Sequence, residues 1–147
     1  MIRPFKNSDC YMPLAAACKR EKEITTMIRM SDSRFLRDIQ RASEVAYTYC
    51  DKGGTPLVVW GFTAKGWFWM FFADSIKELP MSFFKEGMEV MDAAVARYGR
   101  IATTALIDTE EEKRFHNIFY KIGKMEVTKV YEDGGHMWED AERRYTP

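Results

Sequence analysis

The stretch "PLVVWGFTAKGWFWMFFA", residues 56–73, is the most apolar part of the chain and the strongest constraint on its fold. Its Val, Trp and Phe residues favour extended backbone. Gly61, Lys65 and Gly66 interrupt it, so it lacks the unbroken apolar run of about 20 residues that a membrane helix needs. It reads instead as two paired strands turning at Ala64-Lys65-Gly66. The preceding run "SEVAYTYCD" leads into them through Lys52-Gly53-Gly54, which predicts an antiparallel meander.

On either side the pattern becomes helical. A short strand at residues 1–4 precedes "NSDC", where Asn7, Ser8 or Asp9 is placed to cap a helix through "YMPLAAACKREKEI". "SDSRFLRDIQRAS" fits a second helix capped by Ser31 or Asp32. After Pro80, the residues Phe84, Met88, Met91, Val95 and Tyr98 recur at helical spacing until Gly99 ends the run. "RIATTALID" then reads as a buried strand and "EEEKRFHNIFYKIG" as a helix whose acidic first turn suits its dipole. "MEVTKVYED" and "GHMWEDAERR" close the chain as a hairpin about Asp133-Gly134-Gly135. The order β-α-α-β-β-β-α-β-α-β-β predicts an α+β, three-layer fold with a mixed, mostly antiparallel sheet and helices on both faces. At 147 residues, 1–147 is expected to be a single domain.

Composition removes several function classes. Lys plus Arg and Asp plus Glu both total 22, so no net charge favours nucleic acid or an anionic membrane. The charge is uneven, net +4 over residues 1–42 and net −3 over 105–147, a polarity able to orient a partner. Cys10, Cys18 and Cys50 are odd in number and lack C-x-x-C spacing, and His116 and His136 form no metal motif, so neither disulfides nor a metal is expected. The opening residues contain no apolar leader core, which implies a protein that is not secreted. The 10 Met, 10 Phe, 7 Tyr and 4 Trp suit a core and also contact surfaces.

Three passages carry a resemblance: "IRPFKNSD", "VAYTYCDKGGTPLVVWGF" and "DTEEEKRFHNIFYKIGKMEVTKVYEDG". With the element order, they resemble the GNAT superfamily of acyl-CoA-dependent N-acetyltransferases over nearly the whole chain. The resemblance implies a coenzyme held where the fourth and fifth strands splay apart, here by Phe72, Ala73, Lys77 and Ser82, with its pyrophosphate at the start of the following helix. It also implies a proton donor at Tyr120, able to protonate a departing thiolate. The family's glycine motif R/Q-x-x-G-x-G/A is replaced by "ADSIKELPMSFFKEG". Pro80 offers no N–H there, and Leu79 and Met81 are bulky where phosphate must approach backbone.

Glu112, His116 and Tyr120 step by four along one helix face, and Phe115, Ile118, Phe119 and Ile122 form the apolar face. Tyr120 is then either a catalytic acid or a packed ring whose hydroxyl finds a local partner. Glu44, Asp74 and Glu78 are the carboxylates nearest the expected cleft, whereas the thiols fall outside it. In its size, its aromatic strand "GWFWMFFAD" followed by a long helix without the glycine motif, and its short closing hairpin, the chain is also similar to small bacteriophage GNAT-like proteins of the internal virion protein A type. This resemblance implies a noncatalytic role through contacts with other virion or host proteins, in the virion or host cytoplasm, with no cofactor and with an oligomer allowed. The alternative is an active acetyl-CoA-dependent N-acetyltransferase with an atypical phosphate-binding loop.

Overall fold

The computed structural model describes every residue except Lys77. The strands are β1 (Ile2–Pro4), β2 (Val45–Cys50), β3 (Pro56–Phe62), β4 (Phe68–Phe72), β5 (Arg100–Leu106), β6 (Glu126–Asp133) and β7 (His136–Arg144). The helices are α1 (Ala16–Thr26), α2 (Asp32–Arg41), α3 (Met81–Tyr98) and α4 (Glu110–Gly123). This is the predicted α+β element order.

β1 to β4 form one antiparallel sheet in the order β1-β2-β3-β4, and the other three strands form a second in the order β5-β7-β6. Among the described residues the two meet at a single parallel bridge, Trp67 to Ala102, where the Ala102 N–H reaches the Gly66 carbonyl at 3.1 Å. Beyond that bridge β4 and β5 pair no further, so the sheets splay toward the ends of these strands.

The alternation of β4 sorts the helices into layers. Phe68, Met70 and Phe72 share one face with Val58, Trp60 and Phe62, their partners on β3. α3 and α4 cover this face: Phe83 of α3 meets Trp60 and Tyr49 edge to face, and Gly87 of α3 packs against Ile122 of α4. The opposite face presents Phe71, which takes Phe35 of α2 at 5.1 Å. At Gly61 on β3 a Cβ would lie 2.6 Å from both the Trp69 ring and the Val45 carbonyl, so the sheet closes there only around glycine.

The first helix differs from expectation. Asn7–Tyr11 is a separate 3-10 turn, and Met12-Pro13 breaks the chain before α1 begins at Ala16. Pro13 lacks the N–H that a continuous helix would require. Asp9 is almost fully buried, receives Arg3 through two bonds of 2.7 and 2.8 Å, and also accepts from the Lys6 N–H and the Thr48 hydroxyl. Those contacts hold its carboxyl below the ordinary range against the opposing effect of burial, which is the largest single influence on it. Ser31 caps α2 as expected, Gly99 ends α3 with φ +75°, and Gly134 and Gly135 turn the last hairpin with φ +60° and +80°.

Candidate functional site

The site expected from the sequence is the splay between β4 and β5, and the chain's own residues occupy it. On the β4 edge facing β5, the Phe72 carbonyl accepts from the Ala15 N–H at 2.9 Å and the Phe72 N–H donates to Cys18 Sγ at 3.4 Å. Ala73 is bridged by Leu14, and the Asp74 N–H donates to the Pro13 carbonyl at 2.8 Å. The segment between the 3-10 turn and α1 thus serves as a partner strand for the end of β4. One turn further along α1, Glu21 reaches the other strand and accepts from the Leu106 N–H of β5 at 3.4 Å. α1 therefore spans the gap.

From the other face α4 fills what remains. Phe115 stacks on Phe72 with centroids 4.6 Å apart, and Phe119 meets Phe72 at 5.6 Å and Phe68 at 5.7 Å. The void left among Cys18, Glu21, Met70, Phe115 and His116 is about 10 Å³, about the smallest that holds one water. Nearer the bridge, a groove of about 230 Å³ stays open between Trp67, Phe71, Thr103, Glu21 and His116.

Burial tunes two groups here in opposite directions. The Glu21 side chain is 15% exposed, and its carboxyl is pushed up to about 7, first by loss of water and further by the nearby Glu112. His116 is pushed down to about 4 by burial; its Nδ1 is buried without a partner among the described residues, and its Nε2 lies 3.7 Å from Glu21. The Cys18 thiol is raised to about 12, again mainly by burial, which makes it an inert packing group.

A charged tie holds the wide end. Arg20 of α1 donates to both oxygens of Glu112 at 2.9 and 3.0 Å and to Asp108 at 2.9 Å. Asp108 also accepts from the Met137 N–H at 2.6 Å and meets His136 Nδ1 at 2.6 Å. The Met137 bond leads in lowering its carboxyl to about 2. Glu112 is buried while completing the capping box of α4 with Thr109.

The expected site residues are therefore dispersed. Tyr120 donates to the Glu139 carboxylate of β7 at 2.7 Å, and burial followed by that carboxylate raises its phenol well above the ordinary tyrosine range. Phe72 and Ala73 lie at the splay with their edge already paired. Ser82, expected at the coenzyme site, lies one residue inside α3, whose capping position is Pro80, and it bonds the Tyr49 hydroxyl at 3.2 Å. Lys77 lies outside the described residues. Leu79 is half-buried and Met81 is 78% exposed, while the rings of Phe115 and Phe119 pack in the gap against Phe72.

Glu44 is engaged by Arg97 and Tyr98 at the far end of α3, and Asp74 and Glu78 are exposed. Glu21 has no motif or spacing in the sequence that marks it. Cys18 lies within the splay, contrary to the expectation that all thiols fall outside it, because its reach to Phe72 crosses 54 residues. The polar face of α4 lies inside the molecule: Glu112 and His116 are almost fully buried because α1 packs over them. Among the described residues, no three acidic, His or Cys side chains cluster as a metal site, and no helix is long and apolar enough to cross a membrane.

No family model and no curated protein matches the chain. Solved structures do. A GNAT superfamily phosphinothricin acetyltransferase from Sinorhizobium meliloti in complex with AcCoA aligns with 98% of this chain and 87% of its own at TM-score 0.60 and 9% identity. A ribosomal-protein-alanine N-acetyltransferase from Brucella melitensis aligns over 99% of both chains, at TM-score 0.63 and 8% identity. An aminoglycoside 6'-acetyltransferase type Ii covers 100% of this chain and 98% of its own, at TM-score 0.65 and 9% identity.

The chain has the GNAT fold. That fold implies acetyl-CoA, and the residues present do not fit it in this arrangement. The β4 edge is paired to Ala15 and Cys18, and the space beside it holds two phenyl rings. At such low identity the GNAT structures establish the architecture alone.

Proposed function

We propose that this GNAT-fold chain acts through protein contacts rather than acyl transfer, with virion or host proteins as the partner class that its sequence resemblance implies. The observation that carries this reading is the self-pairing of the β4 edge, where the Phe72 N–H and carbonyl are both taken by the chain's own α1 segment. The missing glycine loop supports it independently, since Pro80 and the exposed Met81 open α3.

A second reading, an acetyl-CoA-dependent N-acetyltransferase with an atypical phosphate-binding loop, has its own support. The structural comparisons favour it over the noncatalytic reading, because the similar structures are described as acetyltransferases and one holds AcCoA. Glu21, a carboxyl raised to about 7 beside an open groove, adds a candidate base. This reading requires Phe115 and Phe119 to leave the splay.

Thermal melting with and without acetyl-CoA separates the two. A ligand at 100 times its dissociation constant adds about 2.7 kcal/mol, or roughly 8 °C for a chain of this size. An unchanged melting temperature at millimolar coenzyme is the expected result. A saturable rise would overturn the noncatalytic reading and return Tyr120 and Glu21 to consideration as acid and base.

A further inference from the structure

β6 is the terminal strand of its sheet, and its outer edge has no strand partner among the described residues. Seven of its eight residues are exposed, Tyr131 alone being half-buried, and Val130 on this strand is 56% exposed. Such an edge is a template for another strand unless something blunts it. Here a bulge between Val127 and Lys129 confines the regular ladder to residues 129–133.

The turn sets which backbone groups point outward. Asp133 and His136 flank the two-residue Gly134-Gly135 turn, so that pair exchanges hydrogen bonds across the hairpin. Tyr131 and Lys129 follow at alternate positions and also direct their backbone groups toward β7. Val130 and Glu132 direct theirs to the free edge.

The side chains supply the register. Lys129, Tyr131 and Asp133 share one face, opposite Asp140, Trp138 and His136. The Lys129 ammonium lies over the Tyr131 ring at 4.8 Å, and neither Lys129 nor Asp133 has an ion-pair partner among the described residues. Four residues along a strand separate them by about 13 Å, too far to pair within one chain. An antiparallel copy related by a two-fold axis at Tyr131 sets Lys129 opposite the partner's Asp133 twice. Its Val130 and Glu132 then exchange backbone hydrogen bonds with the partner's Glu132 and Val130. Centring on Lys129 or Glu132 would oppose like charges, and centring on Val130 would leave both ions unmatched.

We propose that β6 is a self-association edge, pairing with β6 of a second copy about Tyr131 to join the two three-stranded sheets into one of six strands. This surface is remote from the β4–β5 splay and is independent of which functional reading holds. Sedimentation velocity of the intact chain, from low micromolar to near-millimolar concentration, tests it. The expected result is a concentration-dependent dimer that Lys129→Asp or Asp133→Lys alone weakens by about tenfold or more, and that the double swap restores. Tyr131→Cys should give a covalent dimer under mild oxidation, against a low background because Cys10, Cys18 and Cys50 are buried. A chain that stays monomeric throughout would overturn the proposal. So would a dimer indifferent to both single substitutions and to the Tyr131→Cys cross-link test.

Discussion

Replacing Glu21 with Gln isolates one of two opposing pH dependences set inside the splay. The Glu21 carboxyl moves from its ordinary 4.5 to about 7, mainly through burial, so between those values the folded chain keeps a proton that the unfolded chain has released. Its stabilising contribution is complete below pH 4.5 and is lost as pH rises through 7, a loss of about 3 kcal/mol at roughly 1.4 kcal/mol per pH unit of separation. His116 runs the other way. Burial lowers it from 6.5 to about 4, so its contribution is complete above pH 6.5 and is lost, again by about 3 kcal/mol, as pH falls through 4.

In the native chain the two slopes offset each other between pH 4.5 and 6.5. Glu21→Gln keeps an acceptor for the Leu106 N–H but removes the titration, leaving the His116 slope exposed. Urea unfolding of both proteins at a series of pH values should therefore show the variant gaining about 3 kcal/mol relative to the native chain from pH 4.5 to pH 7. Taking the difference cancels the other carboxylates, including Asp108. Parallel stability curves for the two proteins would show that Glu21 is not held neutral by the fold, and the burial argument would fail.

Other substitutions test the closure of the splay and its frame. Cys18→Ala should cost about 1–3 kcal/mol in chemical denaturation by leaving the Phe72 N–H buried and unpaired, whereas Cys18→Ser, which restores an acceptor, should cost less. Gly61→Ala should lower the melting temperature sharply, by about 1–3 kcal/mol of stability or more, since its new methyl would meet the fixed Val45 carbonyl. Tyr120→Phe should cost about 1–3 kcal/mol, seen as a shifted urea midpoint, because it deletes the bond to Glu139.

Much of this architecture is written in local pattern. The hairpin turns at Gly66 and Gly134-Gly135, the stop at Gly99 and the Ser31 cap follow from neighbours a few residues apart, and each appears where such chemistry places it. The interior of the splay depends on encounters that no local window contains. Cys18 meets Phe72 and Glu21 meets Leu106 across 54 and 85 residues. The periodicity of α4 separated a polar from an apolar face correctly by residue type, yet both faces are buried, since α1 covers the polar one and supplies Arg20 to neutralise Glu112. Pro13 was a legible signal for breaking the first helix, and its N–H-free backbone there allows Leu14 and Ala15 to lie against β4.

The rings that close the splay also set an order of events during synthesis. Phe68 and Phe72 are complete long before Phe115 and Phe119 emerge, and Arg20 must wait for Asp108 and Glu112, 88 and 92 residues later. Until then the first sheet carries an aromatic face and an unlocked α1, a state in which nascent chains are exposed to aggregation. Chains truncated before residue 115 should therefore depend on chaperones in a way that the 147-residue chain does not, and the 33 residues from Phe115 onward act as the seal that ends that dependence.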